Sequence, residues 1–412
     1  MELSGSKEPG AAVRVLILFS DIGEGHAATA HALAANIAAV QPETTVVLEN
    51  GLAHVGWFLR FLQRDMYRAQ LAHLPWLYGF WYRVFDLFRL PRALGALAIC
   101  TLGWRPLRRL VLAHAPDVVV STDPRLTVIL GHLRLRKRID MPVCASLTDF
   151  GGLKFWVHPG VDVHLVPHRG LLPELERLVG NGSGRLIRPP VHPRFYGTLS
   201  RAKARELLAL PEGVPVVLLS GGGWGAGDLR GALRAALALP DAHVVCVCGH
   251  NQSCQEELRT LVSTWDRAAE RVRVLGFSGE MSELLAAADV LVHSTGGVTC
   301  LEASVRRCPV IIYGAPQGHV RTVARAMAEL REAAVAHSSE ELTLLLKEAA
   351  AGKGVLGEDT RRHPEAGQVI LHARPRVSSW GQIVPWLIMA KGTAHLAAPE
   401  LLEEELVFAE EG

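Results

Sequence analysis

The chain has 412 residues, of which 49% are hydrophobic and 20% are charged, so it is long enough to form two hydrophobic cores. Residues 1–200 contain 22 Lys and Arg against 15 Asp and Glu, but no aromatic-basic platform accompanies them, which argues against a nucleic-acid partner. No stretch approaches the roughly 20 apolar residues of a membrane-spanning helix. The polar segment 1–10 does not have the pattern of a secretory signal peptide, so we expect a cytoplasmic protein.

The first half of the chain alternates apolar strands with helices after a tail at residues 1–12, which we expect to be flexible. The predicted strands are 13–19, 45–49, 117–121, 142–148 and 163–166, and the predicted helices are 27–40 and about 125–137. A helical insertion rich in aromatic residues, 52–111, interrupts the alternation. The pattern predicts a doubly wound α/β domain over residues 13–195 that ends in the proline-rich linker Ile187–Phe195.

The second half repeats the alternation of strands and helices. Its predicted strands are 215–219, 243–248, 272–275, 289–292 and 309–313. These define a second doubly wound domain, 196–350, and the two domains are expected to face a central cleft. The pattern weakens in the extension 351–412, of which the segment Ser378–Met389 is predicted to pack back on the body and the acidic end to be mobile.

Three strand ends in the second half carry turns that suit a nucleotide. The segment Val290–Glu302 contains a strand, the paired glycines Gly296 and Gly297, and the start of a helix with an acid one turn later. Free backbone N–H groups and the helix dipole at such a turn favour a phosphate, and Glu302 would then face the ribose. Plain packing explains a lone turn of this kind equally well. The glycine loop Gly221–Gly223 and the turn at Gly276–Met281 favour the phosphate interpretation, because all three strand ends converge on one crevice.

These motifs resemble the GT-B glycosyltransferases of family 28, which include the monogalactosyldiacylglycerol synthases, the processive diacylglycerol glucosyltransferases and the lipid II-forming GlcNAc transferase. The opening strand and loop Arg14–His26 resemble the same enzymes, and Ser146–Asp162 is specifically similar to the galactolipid branch. The resemblance covers roughly residues 13–340 and implies the GT-B fold with a UDP-sugar bound by the C-terminal half. The implied nucleotide-binding residues are Gly221, Gly222, Gly223, Gly276, Phe277, Met281, Thr295, Gly296, Gly297, Val298, Thr299 and Glu302.

The chemistry implied by the resemblance is inverting glycosyl transfer, in which an acceptor hydroxyl loses a proton as it attacks the anomeric carbon. His26 is the candidate base, since it follows a glycine loop at a helix start, where the dipole favours the neutral imidazole. Asp21 and Asp149 are alternative bases or helpers, although helix caps or loop ligands explain them equally well. The remaining predicted acceptor-side residues are Gly23, Gly25, Phe150, Trp156 and His158. No cofactor beyond the UDP-sugar and no catalytic metal is expected, because no Asp-x-Asp stands at a strand end and the seven cysteines form no paired zinc motif.

Two departures from the family bear on the sugar donor. Ser294 and Thr295 stand where the relatives have a cation beside the diphosphate. The run Pro316–Ala324 places His319, Val320 and Val323 where the family holds the hydroxyls of the donor sugar. A valine cannot hydrogen-bond a hydroxyl, so Gln317 or Arg321 is the candidate replacement, and the sugar cannot be named.

Aromatic residues alternate with arginines in the insertion 52–111. Trp57, Trp76, Trp81 and Trp104 lie among Arg60, Arg64, Arg68, Arg83, Arg105 and Arg109. Such mixtures suit an anionic membrane surface, whereas the alternative is an ordinary helical insertion with its rings in the core. The membrane interpretation is preferred, partly because the family it resembles meets lipid with this region.

Together these features predict a hexosyltransferase that moves a sugar from a UDP-sugar to a lipid or lipid-linked hydroxyl in glycolipid synthesis, peripherally on the inner face of the membrane. A sugar-nucleotide 2-epimerase of the same architecture and a non-catalytic nucleotide-sugar-binding relative are the alternatives. The sequence leaves open the sugar, the lipid acceptor, processivity, the oligomeric state, and whether His319, Val320 and Val323 change or abolish activity.

Overall fold

Two six-stranded parallel β-sheets organise the computed structural model, which describes residues 12–66, 70, 74–180, 182–265, 268–316 and 318–376. The first sheet consists of β1 (Arg14–Phe19), β2 (Thr45–Asn50), β3 (Val118–Ser121), β4 (Val143–Ser146), β5 (Val163–Val166) and β6 (Gly184–Leu186). Their spatial order is β2-β1-β3-β4-β5-β6, and every pairing is parallel. The central strands β3, β4 and β5 are buried along their whole length, as expected for a parallel sheet covered on both faces.

The second sheet repeats this architecture. It consists of β7 (Val216–Ser220), β8 (His243–Val247), β9 (Val272–Leu275), β10 (Val290–His293), β11 (Val310–Tyr313) and β12 (Ala334–Ala336), in the order β12-β11-β10-β7-β8-β9. The predicted strands are confirmed to within two residues at each end. Strands β6 and β12 were not predicted, because three-residue edge strands carry too few apolar positions to give a period.

The helices connect the strands in chain order. They are α1 (Gly25–Val40), α2 (Gly51–His54), α3 (Trp57–Arg60), α4 (Pro75–Leu87), α5 (Arg89–His114), α6 (Pro124–Leu135), α7 (Leu172–Val179), α8 (Arg201–Leu207), α9 (Leu229–Leu237), α10 (Gln252–Ser263), α11 (Ala268–Arg271), α12 (Met281–Ala287), α13 (Val298–Arg306), α14 (His319–Glu329), α15 (Ser339–Ala350) and α16 (Ala366–Leu371). One π-helical turn, Phe61–Asp65, follows α3.

The insertion between β2 and β3 is helical, as predicted, and it is apolar on the outside. The second half of α5 packs on the first domain through the buried residues Cys100, Gly103, Leu107 and Val111. The first half of α5, together with α4, instead exposes large apolar side chains. Within the described residues, no helix is long and apolar enough to cross a membrane.

The chain returns to the first domain after completing the second. Ala366 and Ile370 of α16 are buried in the same hydrophobic cluster as Val15 and Ile17 of β1. The backbone N–H of Gly367 donates to the side-chain oxygen of Asn36 in α1 over 2.6 Å. Part of the extension 351–412 is therefore structural, whereas the segment 378–389 lies outside the described residues. The domain boundaries themselves remain predictions.

Candidate functional site

A cleft of about 1690 Å³ lies between the two sheets. It is lined by the segments that follow β1, β3 and β4 of the first sheet and β7, β8, β9, β10 and β11 of the second. Because the strands of each sheet are parallel, these loops all extend from carboxyl ends, which is where ligands bind in open α/β sheets. The three glycine-bearing strand ends of the second half do converge here, as predicted.

His26 lies in the first turn of α1 and faces this cleft. Its Nδ1 atom is 2.6 Å from the carbonyl oxygen of Thr122, so Nδ1 carries a proton and donates it, and Nε2 is left with a lone pair. Nε2 lies 3.7 Å from a carboxylate oxygen of Asp123, and the ring packs against Trp156 with 5.8 Å between centroids. Burial lowers the pKa of His26 below 6.5, and the charge of Asp123 only partly offsets this. His26 is thus a neutral acceptor near pH 7.

Asp123, which was not among the predicted site residues, completes this arrangement. Its carboxylate is fully buried and accepts hydrogen bonds from Ser20 over 2.6 Å and from the guanidinium of Arg125. It also caps α6. Burial alone would raise its pKa, but the charge of Arg125, with a further contribution from His26, holds the pKa below its usual range. The signal that could have found it is the polar run Ser121-Thr-Asp-Pro124 directly after β3.

Asp149 lies where the two domains meet. Its Oδ2 atom accepts from the indole N–H of Trp156 over 2.9 Å and lies 3.2 Å from Nε2 of His319 in the other domain. Burial opposes the charged form of both partners. The charge of His319 nevertheless lowers the pKa of Asp149, and the charge of Asp149 raises that of His319. Asp149 is therefore an ionised link across the cleft, an arrangement that suits a helper better than a base.

Three other predicted acceptor-side residues do not reach the cleft. Asp21 does not line it, and its carboxylate pairs with Arg60 at 3.2 Å. His158 is buried beneath α6, where its Nδ1 accepts from the N–H of Gly160 over 3.0 Å, and burial lowers its pKa to about 3. Phe150 is buried in the hydrophobic cluster of the second domain. Neither His158 nor Phe150 lines the cleft, so neither lies where the predicted contact with an acceptor would place it, and both contribute to packing. Gly23, Gly25 and Trp156 do line the cleft.

The paired glycines form the start of α13 as predicted. Gly296 and Gly297 have φ values of +71° and +77°, a left-handed backbone that other residues rarely adopt. Val298 lies close to the loop before α1, since a methyl group placed on Gly25 would be 3.3 Å from its Cγ2 atom. The paired-glycine turn and the turn that bears His26 are therefore adjacent across the cleft.

Glu302 also lines the cleft, one turn into α13. Burial raises its pKa to about 8, and the charge of Arg194 only partly offsets this. Phe277, which is 59% exposed, stacks on the imidazole of His250 with a centroid distance of 4.3 Å and an interplanar angle of 10°. Glu302 and Phe277 line the same cleft as Met281 and the loop Gly221–Gly223. All of these residues belong to the set that the resemblance implies for a nucleotide.

The candidate donor-sugar residues separate into two groups. His319 and Val320 line the cleft. Val323 instead packs beneath Gly296, and Arg321 is exposed and does not line the cleft. Gln317, the other candidate replacement, lies outside the described residues. Gly276, which was predicted to bind the nucleotide, also lies outside the cleft, beside Gln255. In the part of the chain that the structure describes, no three His, Cys, Asp or Glu side chains are grouped as metal ligands.

The architecture is that of the GT-B glycosyltransferases, in which two parallel-sheet α/β domains enclose a cleft. The glycosyltransferase SnogD from Streptomyces nogalater has a similar fold, with a TM-score of 0.53, 16% identity, and coverage of 88% of this chain and 98% of that one. Residues 26–182 match the family model for monogalactosyldiacylglycerol (MGDG) synthase.

Two curated relatives agree with this match. A processive diacylglycerol beta-glucosyltransferase of Bacillus pumilus is 24% identical over 243 residues, which are 58% of this chain and 62% of that protein. A probable monogalactosyldiacylglycerol synthase 2, chloroplastic, of Oryza sativa subsp. japonica is 27% identical over 334 residues, 74% of this chain and 67% of that protein. The match to the Bacillus enzyme thus spans about three fifths of its length. The predicted resemblance to the lipid-modifying branch of family 28 is confirmed.

Proposed function

We propose that the protein is an inverting glycosyltransferase that moves a sugar from a UDP-sugar to the hydroxyl of a lipid. The observation that carries this proposal is the placement of His26 and the Gly296–Gly297 turn on opposite walls of one cleft. One wall offers a proton acceptor, and the other offers backbone donors for a diphosphate. The relatives, named as diacylglycerol glucosyltransferase and galactolipid synthase, support the same reaction class.

The reaction follows from these two walls. The acceptor oxygen forms a bond to the anomeric carbon while its proton passes to Nε2 of His26. The bond from that carbon to the diphosphate oxygen breaks, and UDP leaves with the electron pair. The carbonyl of Thr122 and the carboxylate of Asp123 stabilise the imidazolium that results. The N–H groups at the start of α13 stabilise the negative charge that grows on the leaving group.

The helices α4 and α5 support the proposal of a lipid acceptor, because they carry both exposed apolar side chains and side chains that line the cleft. Trp76, Phe80 and Leu87 of α4 and Leu94 and Leu97 of α5 are exposed, although they are large and apolar. Other side chains of the same two helices line the cleft, among them Tyr78, Tyr82, Phe85, Ala93 and Ile99. A contiguous exposed apolar surface marks an interaction site. We infer that this face lies on the bilayer and that a lipid enters the cleft between the two helices.

Two residues of the predicted membrane surface, Trp104 and Arg60, do not belong to this exposed apolar face. Trp104 is half-buried, and the guanidinium groups of Arg105 and Arg138 lie over its ring at 5.2 and 4.5 Å from the centroid. Arg60 pairs with Asp21. The side chains of Arg64 and Arg68 lie outside the described part of the chain. Attachment to the inner face of the cytoplasmic membrane is part of the proposal. The exposed apolar surface and the lipid-acting relatives support contact with a membrane.

The test is a transfer assay with vesicles. Purified protein is incubated with radiolabelled UDP-glucose, UDP-galactose or UDP-GlcNAc and with vesicles that contain diacylglycerol or a total membrane lipid extract. We expect label in the organic phase with at least one donor, and a rate of labelling at least about 10²-fold lower with the His26→Ala variant. An epimerised nucleotide without labelled lipid would instead indicate the epimerase, and UDP binding without any turnover would indicate a non-catalytic module.

A further inference from the structure

A buried imidazole lies at the base of the nucleotide cradle. His293 is the last residue of β10 and is only 1% exposed, yet it lines the cleft. Its Nδ1 atom accepts the backbone N–H groups of Thr295 and Gly296 over 3.0 and 3.2 Å. Since Nδ1 is an acceptor for two N–H groups, the proton of the neutral ring resides on Nε2. The ring therefore has a fixed tautomer, with an N–H donor at Nε2.

Among the residues that the structure describes, this donor has no hydrogen-bond partner. Nε2 of His293 is buried and unsatisfied. Leaving a buried N–H unpaired costs about 1–3 kcal/mol, and such groups are rare in native structures. An unpaired N–H on the wall of a ligand cleft is explained if a ligand atom accepts its hydrogen bond.

The space beside Nε2 is open because Gly222 has no side chain. A methyl group placed on Gly222 would lie 3.9 Å from Nε2 of His293 and 3.4 Å from Oγ1 of Thr295. Gly222 has a φ of +69° and belongs to the loop after β7, which faces the start of α13. The free space is thus bounded by an imidazole N–H, a hydroxyl group and a glycine backbone, all of which suit a small oxygen-rich group.

Ser294, the residue after His293, explains why a neutral donor would be needed to bind a diphosphate at this turn. Ser294, which stands where the relatives carry a cation, is buried, and its hydroxyl donates to the carbonyl of Ala226 in the loop after β7. It therefore holds that loop and does not reach the cleft. Ser294 therefore supplies neither a charge nor a donor to the cleft, whereas the buried imidazole of His293 in the same turn offers an N–H.

We propose that Nε2 of His293 donates a hydrogen bond to a diphosphate oxygen of the sugar donor, in place of the cation used by the relatives. This inference rests on the proposed function and names the residue that recognises the diphosphate. Burial lowers the pKa of His293 to about 4, so the donor is the neutral ring near pH 7. Recognition by this residue consequently adds no pH dependence near neutrality.

Calorimetry with UDP and uridine separates the diphosphate from the rest of the nucleotide. We expect His293→Ala to weaken UDP binding about tenfold and to change uridine binding less than twofold. His293→Gln should bind UDP more tightly than His293→Ala, since its amide can accept from the turn and donate to the ligand. His243, at the far end of β8, provides the matched control: His243→Ala should bind both ligands as the wild type does.

A second measurement excludes a purely structural role. In protein with ¹⁵N-labelled histidine, the Nε2–H resonance of His293 should shift on addition of UDP and remain in place on addition of uridine. Equal loss of UDP and uridine binding in His293→Ala, or a resonance that UDP does not move, would overturn the inference. If UDP binds as described but no sugar is transferred, the proposed function fails while the role of His293 stands. If the wild type binds no UDP, both fail.

Discussion

The Nδ1 atom of His26 lies 2.6 Å from the carbonyl oxygen of Thr122, and this single contact decides which ring nitrogen can act. A carbonyl only accepts, so the proton is held at Nδ1, and Nε2 presents its lone pair. The two residues belong to α1 and to the loop after β3, which the sheet order places side by side. The fold therefore sets the tautomer of the candidate base before any substrate binds.

Replacement of His26 tests this assignment directly. His26→Ala should lower kcat by about 10²–10⁴-fold and leave the UDP dissociation constant nearly unchanged, because a general base acts in the transition state. His54, which pairs with Glu49 on the surface, is the matched control, and His54→Ala should retain full turnover. Near-normal kcat in His26→Ala would transfer the role to Asp149, the other candidate base that lines the cleft.

The pH dependence of turnover follows from the lowered pKa of His26. The base must be neutral to accept a proton, and burial places its pKa below the ordinary 6.5. The rate should therefore be constant at and above neutral pH and should fall on the acid side, below pH 6.5. Asp123→Asn keeps the helix cap but removes the charge that raises the pKa of His26, so the acid limb should move to lower pH while kcat decreases. An acid limb centred above 7 would contradict this assignment.

Binding of UDP should release a proton through Glu302. Burial raises the pKa of its carboxyl to about 8 in the free protein, so most of it is protonated at pH 7. Ribose hydroxyls that donate to the carboxylate favour the charged form, hence UDP affinity should rise with pH up to about 8. Calorimetry at pH 7 in buffers of different ionisation enthalpy should show a proton release that is lost in Glu302→Gln.

The same variant measures the contribution of Glu302 to affinity. Loss of a charged hydrogen bond should weaken UDP binding by roughly 1–3 kcal/mol in Glu302→Ala or Glu302→Gln. Proton uptake by UDP itself contributes equally to the wild type and to both variants, so it cancels when their proton releases are compared. Equal UDP affinity in all three proteins would exclude Glu302 from the site.

The apolar face of α4 and α5 should bind anionic vesicles with two components. Arginines near the surface contribute about 1 kcal/mol each, which salt largely screens, whereas buried rings and leucines contribute an attraction that persists at high salt. The double variant Leu94→Glu/Leu97→Glu should lower the high-salt component by at least about tenfold, since burial of each leucine contributes more than about 1 kcal/mol.

The control for this face is an exposed leucine of the other domain. Leu344 on α15 is 62% exposed, and Leu344→Glu should bind vesicles as the wild type does. Cosedimentation at low and high salt measures both components. Absence of binding by the wild type under both conditions would contradict a bilayer-facing surface and favour a water-soluble acceptor.

The main features of the fold could be predicted because β1, β7 and their neighbours are continuous apolar runs separated by glycine turns. The cradle was also predictable, since glycines at positive φ have a sequence signature. The partners of His26 were not, because Thr122 and Asp123 are distant in sequence and become neighbours only through the pairing of β1 with β3. The outcome for His158 has a similar cause: only the packing of α6 shows that its ring is covered.

Helix α16 has a consequence for the order in which the protein can fold. The core of the first domain includes Ile370, which the ribosome delivers only after the whole second domain has been made. A nascent first domain must therefore wait with the apolar face of β1 that α16 covers still exposed. Residues 12–195 expressed alone should keep this apolar surface exposed and should therefore be poorly soluble. Addition of a peptide spanning α16 should cover the surface and restore solubility.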